Sequence, residues 1–117
     1  MTVQKIFIVG AGTMGNGIAQ TAATSGYQVA LMDVVPEALA RAKSTMAKSV
    51  EKLAAKGLIN EAQKEAALSI PTFSSLDTAA EADLVIEAAT ENPELKMKIF
   101  RDIDQVAHQG AVLATNT

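Results

Sequence analysis

Cysteine and tryptophan are absent from these 117 residues, and histidine occurs once, as His108. Without cysteine there is no disulfide framework and no thiol nucleophile. A single imidazole and no thiolate leave no conventional zinc ligand set, so no metal site is expected. Aromatics are scarce, at three Phe and one Tyr, so the core must be built from Ala, Val, Ile, Leu and five Met. The formal net charge of −3 comes without a Lys/Arg cluster, which argues against nucleic acid as a partner. No apolar run approaches the length of a membrane span. The opening "MTVQKIFIVG" enters a strand at once, with no signal-peptide profile, and the expectation is a soluble, cytoplasmic domain without membrane partners.

Apolar residues make up 49% of the chain, which excludes disorder and suits one domain over residues 1–117. "KIFIVG" and "QVALMD" read as strands buried on both faces. Between them, Thr13–Gly26 reads as a helix stopped by glycine. Pro36 opens a long helix, with Leu39, Ala42, Met46, Val50 and Leu53 as its apolar stripe and Gly57 as its end. Asn60 caps a shorter helix, "EAQKEAALS", and Pro71 begins a brief strand followed by a helical turn around 76–80. Ala82–Ala89 is a third strong strand, Glu94 to about Ala107 a helix, and "AVLAT" a closing strand. Alternating strands and helices imply an α/β fold of Rossmann type: a parallel sheet, helices on both faces, and a helical insertion after the second strand.

The turn "GAGTMG" joins the first strand to the first helix, and Asp33 follows Gly12 by 21 residues at the tip of the second strand. A bare G-x-G-x-x-G is a weak match. The strand before it, the helix after it and the distant carboxylate make the conjunction strong. Gly10 makes the tight turn, and Gly12 lets a pyrophosphate approach the amides of Ala11, Thr13 and Met14 at the positive helix end. Gly15 lets the helix pack closely on the strand. Asp33 can accept both ribose hydroxyls and would repel a 2′-phosphate, an interaction of about 4 kcal/mol between close charges at a dielectric near 20. Val34 and Val35 offer no arginine to hold such a phosphate, so NAD is favoured over NADP. An FAD enzyme stays open, although FAD domains usually continue well beyond this length.

The segments "IVGAGTMGNGIAQ", "VALMDV", "VIEAATENPELKMKIF" and "VLATNT" resemble the NAD-binding domain of 3-hydroxyacyl-CoA dehydrogenases, including the 3-hydroxybutyryl-CoA enzymes. The resemblance runs the whole chain and takes in the helical insertion. It implies that Glu91 and Lys96 contact the cofactor, and that Ser49 and Lys56 on the long helix contact the coenzyme A part of the substrate. Seven residues are nearly two helical turns, so Ser49 and Lys56 lie on one side, about 10 Å apart along the axis. A solvated lysine-rich face is an equally good reading of that helix. His108, near a helix end, is expected at the surface rather than as a base, and Asp102 and Asp104 are expected to be solvated.

In the family, "NT" is followed by a substrate-contacting serine, then by a catalytic His and its orienting Glu. A helical second domain supplies the rest of the pocket and the homodimer interface. The resemblance therefore implies a cofactor domain that stops before its catalytic half, with no catalytic residue among the 117. The intact enzyme would interconvert a 3-hydroxyacyl-CoA and a 3-oxoacyl-CoA. Two alternatives remain at this level. One is a dehydrogenase of the 3-hydroxyisobutyrate or 6-phosphogluconate type, and the other is a non-catalytic NAD(H)-sensing module.

Overall fold

The computed structural model describes residues 4–75, 81–88, 94, 97–98, 101–102 and 112–115. Among the described residues five strands form: β1 (Lys5–Val9), β2 (Gln28–Met32), β3 (Thr72–Phe73), β4 (Leu84–Glu87) and β5 (Val112–Thr115). They pair in the order β3-β2-β1-β4-β5, and every pairing is parallel. The chain thus builds outward from β1 to β3, then returns to the other side of β1 for β4 and β5. That reversal leaves a crevice beyond the carboxyl ends of β1 and β4.

The alternation of side chains sorts the core into two layers. Ile6 and Ile8 of β1 and Val29 and Leu31 of β2 face helices α1 (Thr13–Thr24), α2 (Pro36–Ala55) and α3 (Glu61–Leu68). Ala19 and Ala23 bring α1 against this face; the small side chains allow the helix close to the strands. Phe7, Val9, Met32 and Val85 point the other way and form a second buried cluster with Ala82. A carboxylate pins the start of this arrangement. Asp83 Oδ2 accepts from the backbone N–H groups of Gln4 (2.9 Å) and Lys5 (3.0 Å), fixing the entry to β1 beside β4.

The insertion between β2 and β3 is a pair of helices docked on the sheet. Ala42, Met46 and Val50 are buried, while Leu39 and Leu53 at the ends of the stripe are half-buried. Gly57, at φ +74°, ends the run after Lys56 caps α2. Asn60 and Gln63 then form a reciprocal capping box at α3, each side chain bonded to the other's backbone N–H at 2.8 Å. Gln63 Nε2 also donates to the Thr24 carbonyl at 3.2 Å, tying α3 to the end of α1.

The strands are shorter than the sequence suggests. β3 has only two residues, and β4 spans Leu84–Glu87, so Ala82, Asp83 and Ala88 fall outside the strand; Ala89 lies outside the described residues. Residues 76–80 and most of the helix from Glu94 lie outside the described set; Glu94, Met97, Lys98, Arg101 and Asp102 are helical. Asp102 is not simply solvated: Lys98 Nζ lies 3.3 Å from its Oδ2, one turn away at the surface. Asp104 and His108 lie outside the described residues.

Because Met46 is buried in α2, Met46→Ala should cost about 2–5 kcal/mol of stability in urea unfolding, as for other truncations in packed cores. Lys48→Ala, on the exposed side, should stay within about 0.5 kcal/mol. Equal effects would mean that α2 is not docked as described.

Candidate functional site

The crevice is shaped by the turn after β1. Gly10 sits at φ +107°, a conformation that L side chains rarely adopt, and its N–H donates to the Met32 carbonyl at 2.7 Å. The backbone then enters α1 with Gly12 as N-cap, and Asn16 N–H closes the first turn on the Gly12 carbonyl at 2.9 Å. Gly15 faces back onto the turn. A Cβ built there would lie 1.7 Å from the Gly10 carbonyl oxygen, so only glycine allows this approach of helix to strand. A Cβ at Gly12, by contrast, meets nothing within 4 Å. The space over Gly12 is open to a ligand.

Among the described residues no side chain caps α1, and its first turn carries no acidic residue. The first N–H groups of a helix have no intrahelical acceptor, and the macrodipole places about half a positive charge there. Thr13 and Met14 begin this helix, both exposed. An anion of pyrophosphate size fits this donor set.

Asp33, just past β2, is held against the same turn. Its N–H donates to the Phe73 carbonyl at 3.1 Å, which uses the short β3 to fix its backbone. Oδ2 accepts from Ala11 N–H at 2.9 Å, and Oδ1 from Val35 N–H at 2.9 Å. An ionised carboxylate offers about four lone-pair sites, so roughly two remain for a ribose diol. Asp33 therefore has two tasks: it locks the glycine turn to β2 and keeps acceptors for a ligand. Gly10, Ala11, Gly12, Thr13, Met14, Gly15 and Asp33 form one contiguous site. The donors and acceptors suit a dinucleotide with a free adenosine ribose.

Glu91 and Lys96 lie outside the described residues, in the segment that follows β4 in sequence. Ser49 and Lys56 belong to a different region. Ser49 is half-buried in α2, where its Oγ accepts from Gln20 Nε2 of α1 at 3.0 Å. Lys56 is the exposed C-cap of the same helix.

Two polar groups near the crevice escape sequence reasoning. Glu87 ends β4 and is completely buried, yet it has an interaction partner. It pairs in register with Val9 and with Thr115. An acid at the end of an apolar strand was the available signal. Asn16, 7% exposed, has its Oδ1 buried with no hydrogen-bond partner among the described residues, and nothing in its helical spacing announces that. A cavity of about 400 Å³ opens elsewhere, at the amino ends of the strands, lined in part by Lys5, Gln28, Tyr27 and Pro71. It contains no glycine turn or helix N-terminus, and ligands of open parallel sheets bind at the opposite end. Among the described residues, no group of three His, Cys, Asp or Glu could hold a metal. None of the described helices is long and apolar enough to cross a membrane.

The two tasks of Asp33 separate on substitution. Asp33→Asn keeps an acceptor for Ala11 N–H, so it should retain the fold while narrowing the preference for NAD over NADP. That preference should be at least about tenfold in the native chain, a difference of about 1.4 kcal/mol. Asp33→Ala should also lose roughly 1–3 kcal/mol of stability by stranding the buried Ala11 N–H. Titration calorimetry with both nucleotides and thermal unfolding of the variants check this. Equal affinities in the native chain would contradict the assignment of the ribose to Asp33.

Comparison with known proteins agrees with this geometry. The family model described as the NAD-binding domain of 3-hydroxyacyl-CoA dehydrogenase matches residues 5–117. A 3-hydroxybutyryl-CoA dehydrogenase of Bradyrhizobium diazoefficiens is 39% identical over 98% of this chain and 40% of its own length. The crystal structure of (S)-3-hydroxybutyryl-CoA dehydrogenase from Ralstonia eutropha superposes with a TM-score of 0.92 at 42% identity, over 99% of this chain and 41% of that one. The 3-hydroxybutyryl-CoA dehydrogenase of Escherichia coli K12 gives a TM-score of 0.95 at 36% identity, over 100% of this chain and 25% of that one. The chain thus spans about two fifths of the length of the curated relatives it matches. Its cofactor is NAD, and the chain belongs to the 3-hydroxyacyl-CoA dehydrogenase family as its NAD-binding domain.

Proposed function

We propose that the protein carrying this domain reversibly oxidises (S)-3-hydroxyacyl-CoA, such as 3-hydroxybutyryl-CoA, to the 3-oxoacyl-CoA. The observation that carries the cofactor half of this reading is the joint placement of the open Gly12 face and the fixed Asp33 carboxylate. The family match supports the substrate half. The glycine turn and Asp33 would hold NAD, which would supply hydride-transfer chemistry at the substrate's C3. The amides from Gly12 to Gly15 hold the pyrophosphate without a charged side chain, while the Ala11 N–H stays on Asp33, which orients the adenosine ribose. Glu91 and Lys96, in the segment that follows β4, complete the cofactor contacts.

Ser49 and Lys56 hold the coenzyme A portion of the substrate. The carboxyl end of α2 carries partial negative charge, so Lys56, with Lys52 one turn earlier, offsets it for a phosphate-bearing ligand. The general base for the 3-hydroxyl, its orienting carboxylate and a dimer-forming helical domain lie outside these 117 residues. A cytoplasmic role in fatty acid or butanoate metabolism belongs to the same proposal. A polypeptide limited to these residues binds NAD but does not turn over substrate.

Two measurements test this reading. In the full-length protein, Lys56→Glu should raise KM for acetoacetyl-CoA about two- to fivefold, as reversal of an exposed charge does, and spare that for NADH. Unchanged kinetics would return the α2 lysines to an ordinary solvated face. The 117-residue polypeptide should show no NADH oxidation with acetoacetyl-CoA, since loss of a general base alone typically costs about 10²–10⁴-fold. Turnover near about 10 s⁻¹, ordinary for enzymes, would place the catalytic groups within this chain.

A further inference from the structure

The contact between α1 and α2 carries a polar bond that the cofactor site does not use. Gln20 and Ser49 are both half-buried, 29 residues apart, and joined at 3.0 Å from Nε2 to Oγ. A serine hydroxyl has one proton to donate and two lone pairs. Serines inside helices commonly spend that proton on a carbonyl one turn earlier. Thr24 at the end of α1 and its C-cap Ser25 do so, donating to the carbonyls of Gln20 and Thr21. Ser49 makes no such bond among the described residues; its oxygen accepts, and its proton is uncommitted.

We propose that Gln20 is a positioning residue for acyl-CoA: its amide N–H occupies a lone pair of Ser49 Oγ and so directs the Ser49 proton outward, toward an acceptor on the coenzyme A moiety. This rests on the reading of Ser49 as a substrate contact. Coenzyme A is rich in acceptors, its phosphates and amide carbonyls, and a hydroxyl turned inward would be useless to them. Gln20 suits the task because an amide both donates and is uncharged. A carboxylate at the same place would accept the serine proton instead, and would add negative charge beside an anionic ligand. The bond also links the two regions of the domain, since α1 begins at the Gly12 turn and α2 carries Ser49 and Lys56.

Steady-state kinetics of the full-length protein with acetoacetyl-CoA and NADH tests the proposal on Gln20→Ala, Gln20→Glu, Ser49→Ala and the double variant Gln20→Ala/Ser49→Ala. Loss of one hydrogen bond predicts a rise in KM for acetoacetyl-CoA of roughly three- to tenfold for Ser49→Ala, and a similar rise for Gln20→Ala. The double variant should be no worse than the worse single one, because the two residues act as a unit. Gln20→Glu should exceed Gln20→Ala. KM for NADH should move less than about twofold in all four, which also shows that the domain remains folded; a loosened α1 would raise both constants together. If Ser49→Ala raises the acyl-CoA KM and Gln20→Ala leaves it unchanged, or if the two effects simply multiply, the positioning role of Gln20 is wrong while Ser49 keeps its contact. If Ser49→Ala has no effect, the substrate reading of Ser49 fails, and the role of Gln20 with it.

Discussion

The approach of α1 to the end of β1 sets the rest of the site. Gly15 lies so close to the Gly10 carbonyl that a single methyl group cannot be placed between them. That closeness brings the uncapped start of α1 to the crevice where the sheet order reverses. It also leaves the Ala11 N–H within 2.9 Å of Asp33, so the carboxylate proposed to read the ribose also braces the turn. Binding geometry and folding geometry are here the same contacts. A domain built in this way presents a site that is formed before the ligand arrives, and the ordering cost of binding is correspondingly small.

Much of this is legible in the sequence because its signals are local. Gly10, Gly12 and Gly15 stand at fixed offsets after an apolar run, and Asp33 stands at the tip of the next. The stripe Ala42, Met46 and Val50 announces a docked helix, and it is buried as its spacing requires. Asn60 followed by Gln63 is a helix start written in four residues. The strand ends are less legible, because apolar character continues past the last paired residue: Ala82 is buried in the core yet precedes β4.

What the sequence leaves hidden is side-chain pairing over distance. Gln20 and Ser49 are each unremarkable on their own helices, and only the packing of α1 against α2 joins them. The Asp83 carboxylate bonds to backbone N–H groups 78 and 79 residues earlier, which no window of local periodicity covers. Glu87 is buried at the end of β4, where a hydropathy pattern alone would place an apolar side chain. Only family resemblance, not spacing, points to Ser49 and Lys56; α2 itself offers several exposed lysines, and nothing in its periodicity singles out one of them.

The central claim is that NAD lies over the glycine turn at the carboxyl ends of the strands, even though a cavity of about 400 Å³ opens at their amino ends. Backbone amide chemical shifts of the isotope-labelled protein, followed during titration with NAD, test it most directly. The account predicts large shifts at Ala11, Gly12, Thr13, Met14 and Gly15, and at Asp33 and Val35, with Lys5, Tyr27 and Gln28 unmoved. Shifts centred on Lys5, Tyr27 and Gln28, with the glycine turn unchanged, would contradict it.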